Sequence, residues 1–115
     1  MERLSPHAKL WIERDGKLVM SDYRVRILEI VAETGSLAKA ASELKLSYRR
    51  AWGKVKELEG NLGVPLVESA VGGAGGGHTS LTAEGKRLLD AYARFRARVS
   101  EAVEEAFREE FETGR

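Results

Sequence analysis

Four basic side chains stand close together in the middle of the sequence, at spacings that suit contact with a polyanion. They are Arg49, Arg50, Lys54 and Lys56. Arginine can donate two parallel hydrogen bonds to the O6 and N7 atoms of guanine, so Arg49 and Arg50 are expected to contact bases. Lys54 and Lys56 lie further along and are expected to contact phosphates. An ordinary solvated helix face is the alternative interpretation of all four.

The segment that carries these side chains has the pattern of a helix with one apolar face. Apolar residues recur at helical spacing at Ala51, Val55, Leu58 and Leu62. Ser47 can cap this helix, predicted over 48–61, and Ser36 can cap a shorter one over 37–44. Lys45 and Leu46 form the turn between them. Two short helices joined by a tight turn favour a helix-turn-helix, whose second helix enters a DNA major groove.

Other residues of this region are candidates for DNA contact with weaker arguments. Gly53 removes bulk from the basic face, or is simply a tolerated weak helix position. The hydroxyl of Tyr48 could reach a phosphate, whereas Trp52 is expected to pack against the first helix or the N-terminal hairpin. The complete predicted set is Ser36, Ser47, Tyr48, Arg49, Arg50, Gly53, Lys54, Lys56, Gly73, Gly75, Gly76 and His78.

The glycine-rich segment 72–77 lies between two short strand candidates, 66–68 and 79–81, which predicts a β-hairpin. Following a helix-turn-helix, this hairpin is expected to be a wing whose glycines let backbone amides approach phosphates. His78 is a surface residue that could add a phosphate contact. The alternative of a nucleotide-binding loop lacks the Lys-Ser/Thr ending that a P-loop requires.

The N-terminal part is predicted to form a hairpin and then a helix. Asp15-Gly16 separates two short apolar runs, which is a strong hairpin signal within 1–21. Asp22 is expected to cap a helix that runs to about Glu33. Gly35 is expected to end it in the left-handed conformation that glycine adopts most easily.

A long helix is predicted over 82–112, beginning at Thr82, and its length exceeds what a small core requires. Its apolar residues alternate by three and four, which is typical of helices that pack along their length. We therefore expect a homodimer, although the first part of the seam could pack within the chain. The predicted interface residues are Leu88, Tyr92, Phe95, Val99, Ala102, Val103, Ala106 and Phe107.

Length and composition predict one domain, 1–115, that is mainly α with small β structure. Its parts are the hairpin 1–21, the helix-turn-helix and wing 22–81, and the dimerisation helix 82–112. The 115 residues include no cysteine and only two isolated histidines, so no metal site is expected. No catalytic set and no cofactor motif is visible, so we do not expect an enzyme. Without a spanning segment or a signal peptide, a cytoplasmic location is expected.

Several motifs together resemble a known family. These are Gly35-Ser36-Leu37, Ala40-Ala41, Ser47-Tyr48-Arg49-Arg50-Ala51-Trp52, Pro65-Leu66-Val67-Glu68, the glycines of 72–77, and Leu81-Thr82-Ala83-Glu84-Gly85. They look like the N-terminal DNA-binding domain of the ModE-type molybdate-responsive transcription regulators, and are more distantly similar to LysR-type regulators. The resemblance implies a winged helix-turn-helix that dimerises through its long helix and binds palindromic operator DNA.

The family pattern is not matched everywhere. Family wings often carry Lys or Arg where this chain has Ala74, so a wing-to-phosphate ion pair is not expected there. The sequence also stops near the point where full-length regulators begin their molybdate-binding domains. We therefore expect a stand-alone DNA-binding domain, with a separate oxyanion-sensing protein as a candidate partner. A winged-helix protein-interaction module and a small molybdate- or tungstate-binding protein are the alternative functions.

Overall fold

The computed structural model describes residues 3–70 and 78–112. A hairpin of β1 (Trp11–Arg14) and β2 (Lys17–Ser21) precedes three helices, α1 (Asp22–Thr34), α2 (Leu37–Glu43) and α3 (Tyr48–Leu62). A second antiparallel pair follows, β3 (Val67–Ala70) and β4 (His78–Leu81). The chain then forms α4 (Ala83–Phe107), which continues into a π-helical turn at Arg108–Glu112. The predicted winged helix-turn-helix, with its hairpin and its long last helix, is confirmed.

Helix boundaries follow the capping chemistry of the sequence. The Ser36 and Ser47 hydroxyls accept hydrogen bonds from the amides of Lys39 (3.0 Å) and Arg50 (3.1 Å), as N-caps do. Gly35 has φ of 71°, the left-handed conformation expected where α1 ends. These three predictions are confirmed.

One predicted cap is wrong by a single residue. Ser21, not Asp22, caps α1, because the Ser21 hydroxyl accepts from the Arg24 amide at 3.0 Å. The Asp22 carboxylate instead accepts a hydrogen bond from the Leu10 amide at 3.0 Å. The prediction failed because serine and aspartate are about equally good caps, and the Leu10 partner is distant in sequence.

The N-terminal hairpin is tied to the end of α3. Asp15 and Gly16 both have positive φ, 52° and 79°, as the tight two-residue turn of a hairpin requires. The Asn61 side-chain amide donates to the Leu18 carbonyl at 2.7 Å, and the Arg14 guanidinium donates to the Leu62 carbonyl at 2.8 Å. A two-stranded sheet is marginal alone, so these contacts with α3 help to hold it.

One hydrophobic core joins β2, the helices and β3. Its most completely buried large side chains are Met20, Ile27, Leu28, Ile30, Val31, Leu37, Val55, Leu58 and Leu66. On α3 the buried residues are Ala51, Val55 and Leu58, and Leu62, the last residue of the predicted stripe, is half-buried against the core. Because this stripe fixes the rotation of α3 against the core, the opposite face of the helix points outward.

The first half of α4 packs against the rest of the chain. A Cβ atom at Gly85 would collide with the backbone carbonyl of Leu66, so only glycine fits this contact. Leu88 is half-buried against the core. Tyr92, predicted at the dimer interface, is instead buried within the chain with 2% of its surface exposed. Its hydroxyl donates to the Asp22 carboxylate at 2.6 Å.

The second half of α4 leaves its apolar side chains uncovered or only half-covered by this chain. Phe95, Ala102 and Ala106 are exposed, whereas Val99, Val103 and Phe107 are half-buried. The chain measures 64 × 31 × 21 Å along its principal axes. No helix in the described ranges is long and apolar enough to cross a membrane.

Candidate nucleic-acid interface

Arg49 and Arg50 lie exposed in the first turn of α3. Neither guanidinium has an ion pair or a hydrogen bond with any residue that the structure describes. Other arginines are held by the chain itself: Arg24 pairs with Glu57 at 3.0 Å, and Arg26 pairs with Glu29 at 3.3 Å. Among the described residues, the donors of Arg49 and Arg50 thus have no partner.

Two glycines remove side-chain bulk from the outward face of α3. Gly53 and Gly60 follow Arg49 by about one and about three helical turns, so the three residues lie on one face. A Cβ atom at either glycine would meet nothing within 4 Å. No contact within the described chain therefore requires glycine there, and glycine lowers helix stability relative to alanine. A large partner can approach this face closely.

The two predicted phosphate-binding lysines contact neighbouring side chains. The Lys54 ammonium lies 5.6 Å from the centre of the Tyr23 ring. The Lys56 ammonium lies 4.4 Å from the centre of the Trp52 ring and donates to the Glu59 carboxylate at 2.8 Å. Lys56 is thus partly neutralised within the chain, whereas Lys54 has no carboxylate partner among the described residues.

Glu59 connects α3 to the start of β3. The pair of strands β3 and β4 is called the wing below, and the start of β3 is its base. The Glu59 carboxylate accepts hydrogen bonds from the Leu66 amide at 2.7 Å and the Val67 amide at 3.1 Å. Burial raises the pKa of Glu59, but the hydrogen bonds from Lys56 and the two amides outweigh it and leave the pKa below its ordinary value. The charged carboxylate therefore fixes where β3 starts relative to α3.

His78 lies at the other end of the wing, beside the corner between α1 and α2. Its ring occupies the space where a side chain at Gly35 would have to lie. The Thr79 amide donates to the Gly35 carbonyl at 2.9 Å. Ser36, the next residue, begins α2, so His78 and Ser36 are on neighbouring parts of the surface. Gly73, Gly75 and Gly76 lie outside the described residues.

Three exposed residues that the sequence analysis did not include in the DNA-contact set also lie on this side of the molecule, namely Trp52, Lys39 and Lys45. Trp52 is 37% exposed, and Tyr48, one turn before it, is 54% exposed. Lys39 is exposed near the start of α2, and Lys45 is exposed in the turn with φ of 58°. Both lysines add to the basic charge of this region, but no local sequence pattern distinguishes them from ordinary solvated side chains.

The arrangement suits contact with the edges and phosphates of a nucleic-acid duplex. Helix α3 presents two guanidinium groups without partners among the described residues, two glycines in open surroundings and two exposed aromatic rings. A groove about 12 Å wide admits such a helix. Among residues 3–70 and 78–112 no group of three or more acidic or histidine side chains could hold a metal ion.

Sequence comparison identifies relatives for most of the chain. The family model described as bacterial regulatory helix-turn-helix protein, lysR family, matches residues 23–86. Molybdenum-pterin-binding protein MopB of Rhodobacter capsulatus is 38% identical over 92 residues, 80% of this chain and 34% of the relative. The DNA-binding transcriptional dual regulator ModE of Escherichia coli is 35% identical over 83 residues, 72% of this chain and 32% of the relative.

These matches confirm the resemblance to the N-terminal part of ModE-type proteins. The chain spans about a third of the length of the curated relatives it matches. Solved structures agree with the fold. The CbnR_DBD–DNA complex superposes with a TM-score of 0.59 at 28% identity, covering 76% of this chain and 94% of that one. The BenM_DBD complex with catB site 1 DNA gives 0.56 at 25% identity, covering 74% and 89%.

Proposed function

Because this chain belongs to the lysR family of bacterial regulatory helix-turn-helix proteins, we propose that it binds double-stranded DNA as a sequence-specific, ModE-like transcription regulator. The observation that carries the proposal is the pair of exposed arginines at the start of α3 without partners in the described chain. Both structural relatives named above were solved bound to DNA. Such a regulator would act in the cytoplasm, where bacterial DNA lies.

The proposed DNA contacts are of two kinds, to base edges and to phosphates. Arg49 and Arg50 hydrogen-bond to base edges, since their guanidinium donors have no partner among the described residues and lie at the helix end that enters the groove. Lys54, Lys39 and Lys45 contact phosphates, with Ser36, Ser47, Tyr48 and His78 around them. Gly53 lets the helix lie deep in the groove because it presents no side chain.

We further propose that two copies bind together through the second half of α4. Its apolar side chains from Phe95 to Phe107 lack full cover within one chain, although they alternate as packed helices require. A groove of about 530 Å³ beside them, lined in part by Val25, Ala93 and Ala97, offers further apolar surface. Two-fold symmetry would then require a palindromic site with half-sites separated by about one turn of DNA or a multiple.

The test begins by selecting bound duplexes from a random DNA pool with the complete chain. We expect a palindrome with fixed spacing. On that site, Arg49→Ala and Arg50→Ala should each weaken binding by about 1–3 kcal/mol, and should weaken binding to random DNA much less. Arg26→Ala is the matched control, because this exposed arginine already pairs with Glu29 and Glu43 and should change binding little.

Recovery of no preferred sequence would overturn the proposal, as would wild-type affinity in both α3 variants. Size measurement by light scattering tests the dimer separately. Replacing Phe95 and Phe107 with glutamate should give monomers that retain the helical fold but lose cooperative binding to the palindrome. Dimers that persist in this variant would contradict the proposed interface.

The names of the sequence relatives favour a link to molybdenum. MopA and MopB are called molybdenum-pterin-binding proteins, and the ModE of Azotobacter vinelandii is called a molybdenum transport protein. We infer that the genes controlled by this chain serve the uptake or use of molybdenum. Mapping the selected palindrome onto the source genome tests this, and sites confined to unrelated genes would contradict it.

A further inference from the structure

We propose that Trp52 determines specificity by contacting the 5-methyl group of a thymine in each half-site, and that Lys56 and Glu59 position its ring. The inference rests on the proposed DNA binding and deepens it. The charged ends of the four basic side chains of α3 are poorly suited to this contact, because a methyl group offers no acceptor for a charged donor.

The first observation is where the ring lies. Trp52 is 37% exposed on α3, one residue beyond buried Ala51 and one turn beyond exposed Tyr48. Large aromatic side chains stabilise proteins mainly by burial, so an indole at the open edge of a helix leaves much of that gain unused. Arg49 precedes Trp52 by three residues, which makes them neighbours on the helix surface. A base read by Trp52 should therefore lie beside the base read by Arg49.

The second observation is how the ring is held. The Lys56 ammonium lies 4.4 Å from the ring centre and donates to the Glu59 carboxylate at 2.8 Å. The same carboxylate accepts hydrogen bonds from the amides of Leu66 and Val67 at the start of β3. The ring, the ammonium, the carboxylate and the strand thus form one connected row. A ring fixed before binding loses less conformational freedom when it meets DNA.

The third observation concerns the charge of Lys56. A lysine that served only to bind phosphate would gain nothing from a carboxylate at 2.8 Å, because the carboxylate repels phosphate. The pairing is explained if the ammonium contacts the indole face of Trp52 and is held there by its ion pair with Glu59. Lys56 is then a positioning residue, and its contribution to phosphate binding is smaller than that of an unpaired lysine.

In the major groove, thymine is the base that presents a methyl group, and apolar side chains can contact it. Removing that methyl group alone changes thymine to uracil and leaves all base-pairing atoms in place. The experiment therefore uses the selected palindrome with its thymines replaced, one symmetric pair at a time, by deoxyuridine. Binding is measured by fluorescence anisotropy of labelled DNA with the complete chain.

For the wild-type protein we expect one pair of positions, beside the base pair contacted by Arg49, where loss of the methyl groups weakens binding. About fourfold for each methyl group is the effect expected from one buried methyl. Trp52→Ala should bind the thymine site more weakly and should no longer distinguish thymine from uracil at that position. Trp11→Ala is the matched control, since Trp11 is a second exposed tryptophan, 60% exposed on the hairpin. It should keep the full thymine preference.

Lys56→Gln tests the positioning role. We expect it to reduce the thymine preference while the salt dependence of binding stays as in the wild type. A lysine acting only on phosphate would instead lower the salt slope by about one and leave the thymine preference intact. The proposal is overturned if the wild type tolerates uracil at every position, or if Trp52→Ala keeps the thymine preference. Failure of the proposed function looks different, because then no palindrome is recovered at all.

Discussion

Helix α4 and the outward face of α3 each contain a glycine and an arginine, and the surroundings of these residues differ between the two helices. At α4, Gly85 is pressed against the Leu66 backbone, and Arg96 pairs with Asp22 at 3.3 Å and donates to the Ala8 carbonyl at 2.6 Å. On α3, Gly53 faces open space, and Arg49 has no partner among the described residues. The contacts of the folded chain account for the first pair of residues and leave the second pair unexplained.

This difference distinguishes residues that stabilise the fold from residues that are available to bind a partner. Glycine inside a helix lowers stability relative to alanine, so its presence needs a reason, whereas an exposed arginine without a partner costs the fold little. Where the reason lies inside the chain, substitution should lower the stability of the fold. Where it lies outside, substitution should leave the fold intact or improve it, and should weaken binding instead.

The largest effect is expected at Gly85. Gly85→Ala forces a methyl group against the Leu66 carbonyl and should lower the free energy of unfolding by about 1–3 kcal/mol, the usual result of overpacking. Urea denaturation at fixed protein concentration measures it. Gly60→Ala, in open surroundings within α3, is the control and should not destabilise the protein. Equal stability of the two variants would remove one side of the comparison.

A smaller effect, with a defined pH dependence, is expected at Asp22. Burial raises the pKa of this carboxyl group, but hydrogen bonds from Tyr92 and the Leu10 amide, together with the charge of Arg96, bring it below the ordinary value of 3.8. A carboxyl group whose folded pKa is lowered contributes stability above its unfolded pKa. That contribution disappears as the pH falls through the folded pKa.

Asp22→Asn should therefore lower the free energy of unfolding by about 1 kcal/mol at neutral pH, the worth of a hydrogen bond. The gap between variant and wild type should shrink as the pH falls below 3.8. Urea denaturation over a series of pH values checks both statements. A gap that stays constant at low pH would mean that the charge of Asp22 does not hold Tyr92 and Arg96 in place.

The smallest change in stability, and the sharpest contrast, is expected at Gly53. Gly53→Ala should raise the free energy of unfolding by about 0.5–1 kcal/mol, because alanine favours a helix and meets no neighbour here. The same variant should bind the selected palindrome more weakly, since the added methyl group keeps α3 from the groove. Unchanged binding together with higher stability would mean that nothing approaches this face closely.

Local chemistry explains which features the sequence predicted well. The caps at Ser36 and Ser47, the turn at Asp15 and Gly16, and the end of α1 at Gly35 each depend on neighbours within a few residues. The buried stripe of α3 follows from spacing alone. The exposed charges of Arg49 and Arg50 were expected for the same reason, since they lie opposite that stripe.

Contacts between distant residues explain the features that the sequence did not predict. Tyr92 continues the apolar seam of α4, but its hydroxyl meets Asp22, seventy residues earlier, and this contact draws it into the core. The contacts of Lys56 with Trp52 and Glu59 are local instead, since these residues lie four before and three after it on α3, and helical spacing could have indicated them. For Trp52, packing against the first helix or the hairpin was expected, but the sequence does not indicate that 37% of its surface stays exposed.

The hydrogen bonds of the Glu59 carboxylate affect which parts of the molecule unfold together. Glu59 lies on α3, whose other face is part of the core. Its carboxylate accepts hydrogen bonds from the amides of Leu66 and Val67 at the start of β3. A pair of short strands would otherwise exchange its amide hydrogens with solvent quickly. The amides of Leu66 and Val67 should therefore exchange at the slow rate of α3, so that the base of the wing and the helix beside it open as a single cooperative unit.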